Sequence, residues 1–580
     1  TWSVAATTLD TALTAGVRLT GALTITGITD KAAALTNYTT ATTGATTNTL
    51  TANGTWSVAA TTLDTALTAG VRLVGNLTVT DIASGSETSA LTTYTTAKTG
   101  ATTNTLTASD TNWSVAAATL DTALAAGVQL AGALTVTDIS TETNASTTYS
   151  KIATGASNVM LTASDGTWSI VASALDTDLG NDIKYAGALT VTDIATDDKV
   201  AALTGYTTAK TGATTNTLTA DGTWSLAVGA LTTALGDGVR LAGALTVTGI
   251  TDEAAALTDY TATTTGATSV TLTANGAWSV AAADLAAALG DGVLLDGTLA
   301  VTNIASGNET AALTAYTDAL TGATSVTLTA SDTNWSVAAA TLDTALAAAV
   351  RLNGDLTVTD IASDDEANAS TTYSKTATGA SNVTLTASDG TWSVAVSALN
   401  TDLGNDIKYA GALTVTGITD EVAALTDYTT AKTGATTNTL TADGNWSLAV
   451  ATLDSALSAG VRLAGALTVT GITSGSETSA LTAYTTAKTG ATTNTLTADG
   501  TWSVAATALD TALTAGVRLV GALTVTGIAS GNETAALAAY TDALTGSTSV
   551  TLTASDTNWS VAAATLDTAL AAAVRLNGDL

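Results

Sequence analysis

The chain of 580 residues contains no cysteine, histidine, proline or phenylalanine. Each absence removes a class of explanation. Without cysteine there is no disulfide framework, no thiolate metal site and no thiolate nucleophile; without histidine the commonest general base and transition-metal ligand is gone. No P-loop and no dinucleotide-binding glycine pattern follows a strand. Positive charge is scarce: 17 Lys and Arg against 49 Asp and Glu give a net charge of -32. Neutralising phosphates requires the opposite balance, which argues against nucleic acid as a partner. Long apolar runs are missing too. Threonine interrupts every hydrophobic stretch despite a mean hydropathy of +0.33, whereas a membrane helix needs about 20 apolar residues in succession. No membrane span and no enzymatic activity are expected.

What is present is repetition. The eleven tryptophans stand at Trp2, Trp56, Trp113, Trp168, Trp224, Trp278, Trp335, Trp392, Trp446, Trp502 and Trp559, 54 to 57 residues apart. A longer period overlies this one, since Thr324 to Leu356 recurs unchanged as Thr548 to Leu580. Four repeats thus form a copied block. The chain opens at Thr1 and stops at Asp579-Leu580 inside a recurring phrase, so 1–580 reads as one continuous array, a fragment of a longer chain.

Each repeat divides into two similar halves, exemplified by Ala5 to Thr26 and Ala33 to Ala52. In the first, Ala5, Ala6, Leu9, Ala12 and Leu13 make an apolar stripe of helical period, with Ser3 as the expected N-cap and Gly16 after the last turn. In the second, Thr251, Asp252 and Glu253 suit a helix N-terminus and Gly266 closes it. After each glycine the period becomes two, as in Leu23-Thr24-Ile25-Thr26 and Thr49-Leu50-Thr51-Ala52. Loops such as Ala52-Asn53-Gly54 and Ala220-Asp221-Gly222 are expected to turn the chain back to the next helix. The pattern predicts an α/β solenoid: helix-strand coils of about 27 residues, two per repeat, building a long parallel sheet with helices on one face. An all-β solenoid is the alternative, because threonine favours strands over helices. Asn48, Asn104 and Asn216 stand where Val270 and Val326 stand elsewhere, which predicts an inward-facing strand position.

Several rows of residues could carry chemistry. An Asp eight residues after Trp recurs with a basic residue eight further on, as Asp10 with Arg18, Asp64 with Arg72, Asp176 with Lys184 and Asp454 with Arg462, and both are lost together at Ala286 and Leu294; a structural ion pair is expected. A second acidic row occupies the turns: Asp110, Asp165, Asp221, Asp332, Asp389, Asp443, Asp499 and Asp556. Turn chemistry accounts for it, and calcium held between neighbouring coils is the sharper reading, since that ion takes six to eight oxygens; no other cofactor is expected. The Trp row reads as core in preference to a carbohydrate-stacking platform. Outward threonines such as Thr24 with Thr26 and Thr78 with Thr80 would form a flat lattice. That surface suits an exposed strand, lateral packing of two rods, glycan attachment or binding, or ice.

The phrases GALTVTDIA at 187–195, AATLDTALAAGVQL at 117–130 and TAKTGATTNTLTADGTWSV at 486–504 resemble the Thr/Ala/Leu repeats of giant adhesin-like bacterial cell-surface and biofilm-matrix proteins. The likeness covers the whole chain without a diagnostic motif. It implies an extracellular or cell-surface location and a structural role, as a filament, sheath or matrix subunit whose partner is itself, or as the spacer stalk of a surface adhesin. Ten repeats of two coils at ~4.8 Å per strand would give a rod of roughly 100 Å.

Overall fold

A computed structural model describes residues 1–580, and the repeat beginning at Trp56 shows the general plan, from which the repeat at Trp2 departs by having no strand at 17–20 and the repeat at Trp113 by a four-residue helix, Ala145–Thr148, in place of a seven-residue one. A short Trp strand, Trp56–Ala59, leads into the long helix Ala60–Thr68 and then the Arg strand Val71–Val74. A Leu strand, Asn76–Ile82, follows at once. Two more helices, Glu87–Thr93 and Thr96–Thr99, precede a Thr strand that runs as Thr103–Ala116 into the next Trp strand.

All strand pairs are parallel, and their order couples successive repeats. Trp56 pairs with Leu77, Leu77 with Asn104, and Asn104 with Val128. One sheet therefore takes its Trp, Leu and Thr strands from one repeat and its Arg strand from the following repeat. Since Arg and Leu strands adjoin in sequence, as do Thr and Trp strands, each repeat advances the sheet by two strand positions, about 9.6 Å at the usual strand spacing. Gly132 marks the crossing from Arg strand to Leu strand: at φ +113° a Cβ there would sit 2.3 Å from the Thr111 carbonyl oxygen. The two-coil repeat of the α/β solenoid is as expected.

By contact the chain forms two compact units, one of Thr1–Gly276 with Ala286–Asp296, the other of Ala277–Leu285 with Gly297–Leu580. The first holds sheets of four, eight and four strands, the second sheets of eight, four and four. In each unit the inward columns are mainly apolar. Trp56, Leu77, Val79, Leu106, Val128 and Leu130 are buried, with Ala60, Leu63 and Ala66 of the long helix against them. Thr78, Thr80, Thr105 and Thr107 alternate with these columns on the opposite face and are half-exposed. At ~25 cal/mol per Å2 the buried columns supply the main driving force, and no repeat can form them without a neighbour.

The helices exclude the all-β alternative, for a reason visible in their threonines. Thr65 donates to the Thr61 carbonyl at 3.0 Å and Thr122 to Ala118 at 3.0 Å, so hydroxyls that would disturb a helix are satisfied one turn back. Three local expectations need correction. Ser3 lies within the strand Trp2–Ala5, and the helix Ala6–Thr14 starts from Ala5 with no side-chain cap. The second half of a repeat contains two helices: Asp252 caps Glu253–Asp259 by accepting from the Ala255 N–H, and Thr261 caps Ala262–Thr265, which Gly266 closes at φ +83°. Finally, Asn53-Gly54 and Asp221-Gly222 lead into Trp strands, not back to a helix. No helix is long and apolar enough to cross a membrane.

Candidate functional site

Each tryptophan other than Trp2 is buried, and in repeat after repeat the indole N–H donates to the carbonyl eighteen residues on: Trp113 to Ala131 at 3.0 Å, Trp224 to Ala242 at 3.0 Å, Trp446 to Ala464 at 3.0 Å, and exposed Trp2 to Thr20 likewise. That carbonyl ends the Arg strand, so the Trp locks the edge of one sheet to the strand leaving for the preceding one. The row is core, as expected.

The expected Asp–Arg ion pairs do not form. Their members point to different sides of the sheet. Arg72 lies on the threonine face and folds back to the carbonyls of Leu67 and Val71, at 3.3 and 2.9 Å, capping the end of the long helix. The Asp on that helix is met instead by a tyrosine from the end of the seven-residue helix. Tyr38 donates to Asp10 at 2.7 Å, Tyr206 to Asp176 at 2.8 Å, Tyr484 to Asp454 at 2.7 Å and Tyr540 to Asp510 at 2.7 Å. Burial, and then the adjacent carboxylate, raise these phenols well above the ordinary tyrosine range. Where the Asp is replaced the bond survives in another form: Tyr428 donates to Asn400 at 2.7 Å, Thr232 and Tyr260 share a bond of 2.6 Å, and Tyr316 turns to the Ala282 carbonyl at 2.9 Å. The sequence signal that would have found this row is a tyrosine recurring 28 or 30 residues after each such position from Asp10 to Asp510.

The inward position of the Thr strand is as read. Asn48, Asn104, Asn216, Asn438 and Asn494 are fully buried, as are Val270 and Val326. The Asn104 amide donates to the Tyr94 carbonyl and to the Thr99 hydroxyl, 3.0 Å away, so it ties the C-termini of both short helices to the sheet.

The turn row splits into two forms. Asp110, Asp332 and Asp556 each accept the N–H two residues on, at 3.1, 3.1 and 3.2 Å, and Asp165 and Asp389 do the same at 2.9 and 2.8 Å. The Thr167 and Thr391 N–H groups hold the Asp165 and Asp389 carboxyls below their usual range. Asp221, Asp443 and Asp499 use their backbone N–H, bonding Ile194, Ile418 and Ile472. Nowhere do three or more acidic side chains gather as a metal-holding group.

A cleft opens between the long helix and the seven-residue helix. It measures about 520 Å3 beside Asp176, Asp193, Asp198 and Tyr206, and about 220 Å3 both beside Asp64, Asp81 and Tyr94 and beside Asp510, Asn532 and Tyr540. Small residues line its walls. Its phenol is bonded to the carboxylate of the long helix, as Tyr206 to Asp176 and Tyr540 to Asp510, and Asp193 and Asp198 add further acceptors beside Tyr206. The same cleft recurs in different repeats, larger beside Tyr206 than beside Tyr94 or Tyr540.

The fold and these rows define a tandem α/β repeat array. The chain matches no protein-family model, no curated protein and no solved structure.

Proposed function

We propose that the chain is a structural element of an extracellular filament, sheath or matrix fibre, with no chemical step of its own. The observation supporting this reading is the sameness of the repeats: the Trp lock, the Tyr bond and the cleft recur in equivalent places, whereas catalysis needs one constellation set apart from its surroundings. The partner is a second copy of the chain, and the low density of uniformly acidic charge keeps unassembled material in solution. The half-exposed threonine face, with its regular hydroxyls, is the surface for lateral association.

Electron microscopy and fibre diffraction of native material test the proposal. Continuous fibres of uniform width, with axial spacings near 4.8 Å from the strands and ~9.6 Å from the repeat, are expected. Isolated whiskers ending in a globule on a cell surface would establish the adhesin stalk instead.

A further inference from the structure

At each step from one repeat to the next, the first residue of the four-residue helix stands against the residue immediately before the following Arg strand. The two positions vary together. In the commonest form a threonine faces a glycine. A Cβ on Gly70 would lie 2.4 Å from the Thr40 methyl, one on Gly127 2.6 Å from that of Thr96, and one on Gly238 2.5 Å from that of Thr208. Meanwhile the same threonines donate their hydroxyls to the carbonyl just before the glycine, at 3.0 Å in all three. Gly460 and Gly516 repeat the arrangement with Thr430 and Thr486.

Where the threonine is missing the constraint on its partner changes. Ala262 leaves ordinary contact, 3.5 Å, to a Cβ on Gly292. Asp318 and Asp542, unbranched at Cβ, face Ala349 and Ala573, which take φ +59° where the threonine junctions have glycine. Lys151 and Lys375 face Asp182 and Asp406, and there the two form ion pairs. Nowhere does a threonine meet a residue bearing a Cβ, and neither lysine meets anything but aspartate.

The two lysine junctions also differ inside. The other repeats have leucine on the seven-residue helix, alanine on the next long helix and leucine on its Arg strand, as Leu91, Ala123 and Leu130. At these two junctions the same positions hold Ser146, Asp178 and Tyr185, or Ser370, Asp402 and Tyr409. Tyr185 donates to Asp178, both are buried, and the Trp168 ring packs edge-on at 4.9 Å. Three apolar residues have been exchanged together for a hydrogen-bonded polar set.

We propose that these matched positions are a self-recognition code: a coil accepts only the neighbour bearing its complement, which fixes the order of the repeats and the register in which a second copy of this chain can exchange coils with the first. Without such a code, pairing slipped by one repeat in so uniform an array would cost little. With it, a slip sets the Thr96 methyl against the Asp182 Cβ, leaves Lys151 without its aspartate and buries Asp178 beside Leu91 instead of Ser146. These are steric and unpaired-charge penalties of the kind that enforce specificity, and they act whether or not the filament reading holds.

The test uses the full chain. Lys151→Thr creates the forbidden threonine-against-Cβ contact, and adding Asp182→Gly restores a threonine–glycine pair. Hydrogen exchange is followed in 159–162 and 183–186, the strands that meet at this junction. The single variant is expected to exchange at least tenfold faster there, and the double variant to return to within about threefold of the parent. After unfolding and refolding of mixed light- and heavy-isotope chains, native mass spectrometry should find more mixed oligomers for the single variant than for the double. Gly238→Ala, rescued by Thr208→Asp in imitation of Asp318 with Ala349, provides an independent pair should the first fail to fold. Single variants that behave as the parent, or double variants no better than the singles, overturn the proposal.

Discussion

The repeats beginning at Trp56 and Trp224 share a backbone plan yet solve the same corner with different chemistry. In the first, Asn104 is fully buried and bonds the Tyr94 carbonyl and the Thr99 hydroxyl, while Tyr94 faces Asp64. In the second, Val270 fills the same place and Tyr260 bonds Thr232. A buried amide is tolerated because the partners it needs are supplied by parts of the repeat that do not vary: a helix-ending carbonyl and a threonine, Thr99 or Thr265, present in both. The comparison teaches that the scaffold is set by the column of apolar neighbours, and that this one position is neutral between polar and apolar side chains.

The comparison breaks most severely one pleat away. Leu272→Asn puts an amide into an equally buried column with no waiting partner, and should cost about 3 to 5 kcal/mol, read as local hydrogen exchange in 269–274. Asn104→Ala should cost about 2 kcal/mol in its own strand, because it leaves the Tyr94 carbonyl without the amide and, unlike valine, also leaves a cavity. The exchanges that convert one repeat into the other, Asn104→Val and Val270→Asn, should each stay under about 1.5 kcal/mol. A local reading resolves these core substitutions best, because a repeat array does not unfold as one two-state body.

Two bulk measurements sharpen the contrast further. Tyr94 is held above the ordinary phenol range by burial first and by Asp64 second, so its native form keeps a proton that the unfolded chain loses above about pH 10. The stability it contributes is complete below that pH and declines as pH rises beyond it; melting temperature should fall between pH 9 and 11.5, and Asp64→Thr, which imitates the Trp224 repeat, should lessen the fall. The smallest effect concerns the turn row. Because Asp165 and Asp389 accept their own turn N–H groups, adding a calcium chelator should leave the melting curve unchanged within a degree or so.

Much of this is legible in the sequence. The switch of period from 3.6 to 2 after each glycine located the helices and the central strands, and the Asn/Val exchange identified an inward position. What stayed hidden were contacts between residues too far apart in sequence to form a pattern within one element. Val71–Val74 is short and reads as a continuation of the helix exit, yet it pairs with Thr47–Ala52 of the preceding repeat. Asp64 and Arg72 share a spacing that suggests a pair, but one rides on a helix and the other on the outer face of a strand. The junction pairs are 30 or 31 residues apart and emerge only when Thr40 and Gly70 are seen to touch. The sheet order also explains why Trp-Ser-Val-Ala is a strand: with Trp56 opposite Leu77, it continues the inward column.

The central claim is that consecutive repeats share sheets, the Arg strand of one lying beside the Thr strand of the one before. Absence of native cysteine makes cross-linking the most direct measurement. With cysteines at Thr105 and Gln129, which are registered neighbours on the threonine face, mild oxidation should give near-complete intramolecular disulfide, since adjacent strands bring Cα atoms within the distance a disulfide spans. Cysteines at Thr105 and Thr135, which the sheet keeps apart, should remain reduced. Efficient linkage of the second pair with failure of the first would contradict the shared-sheet arrangement.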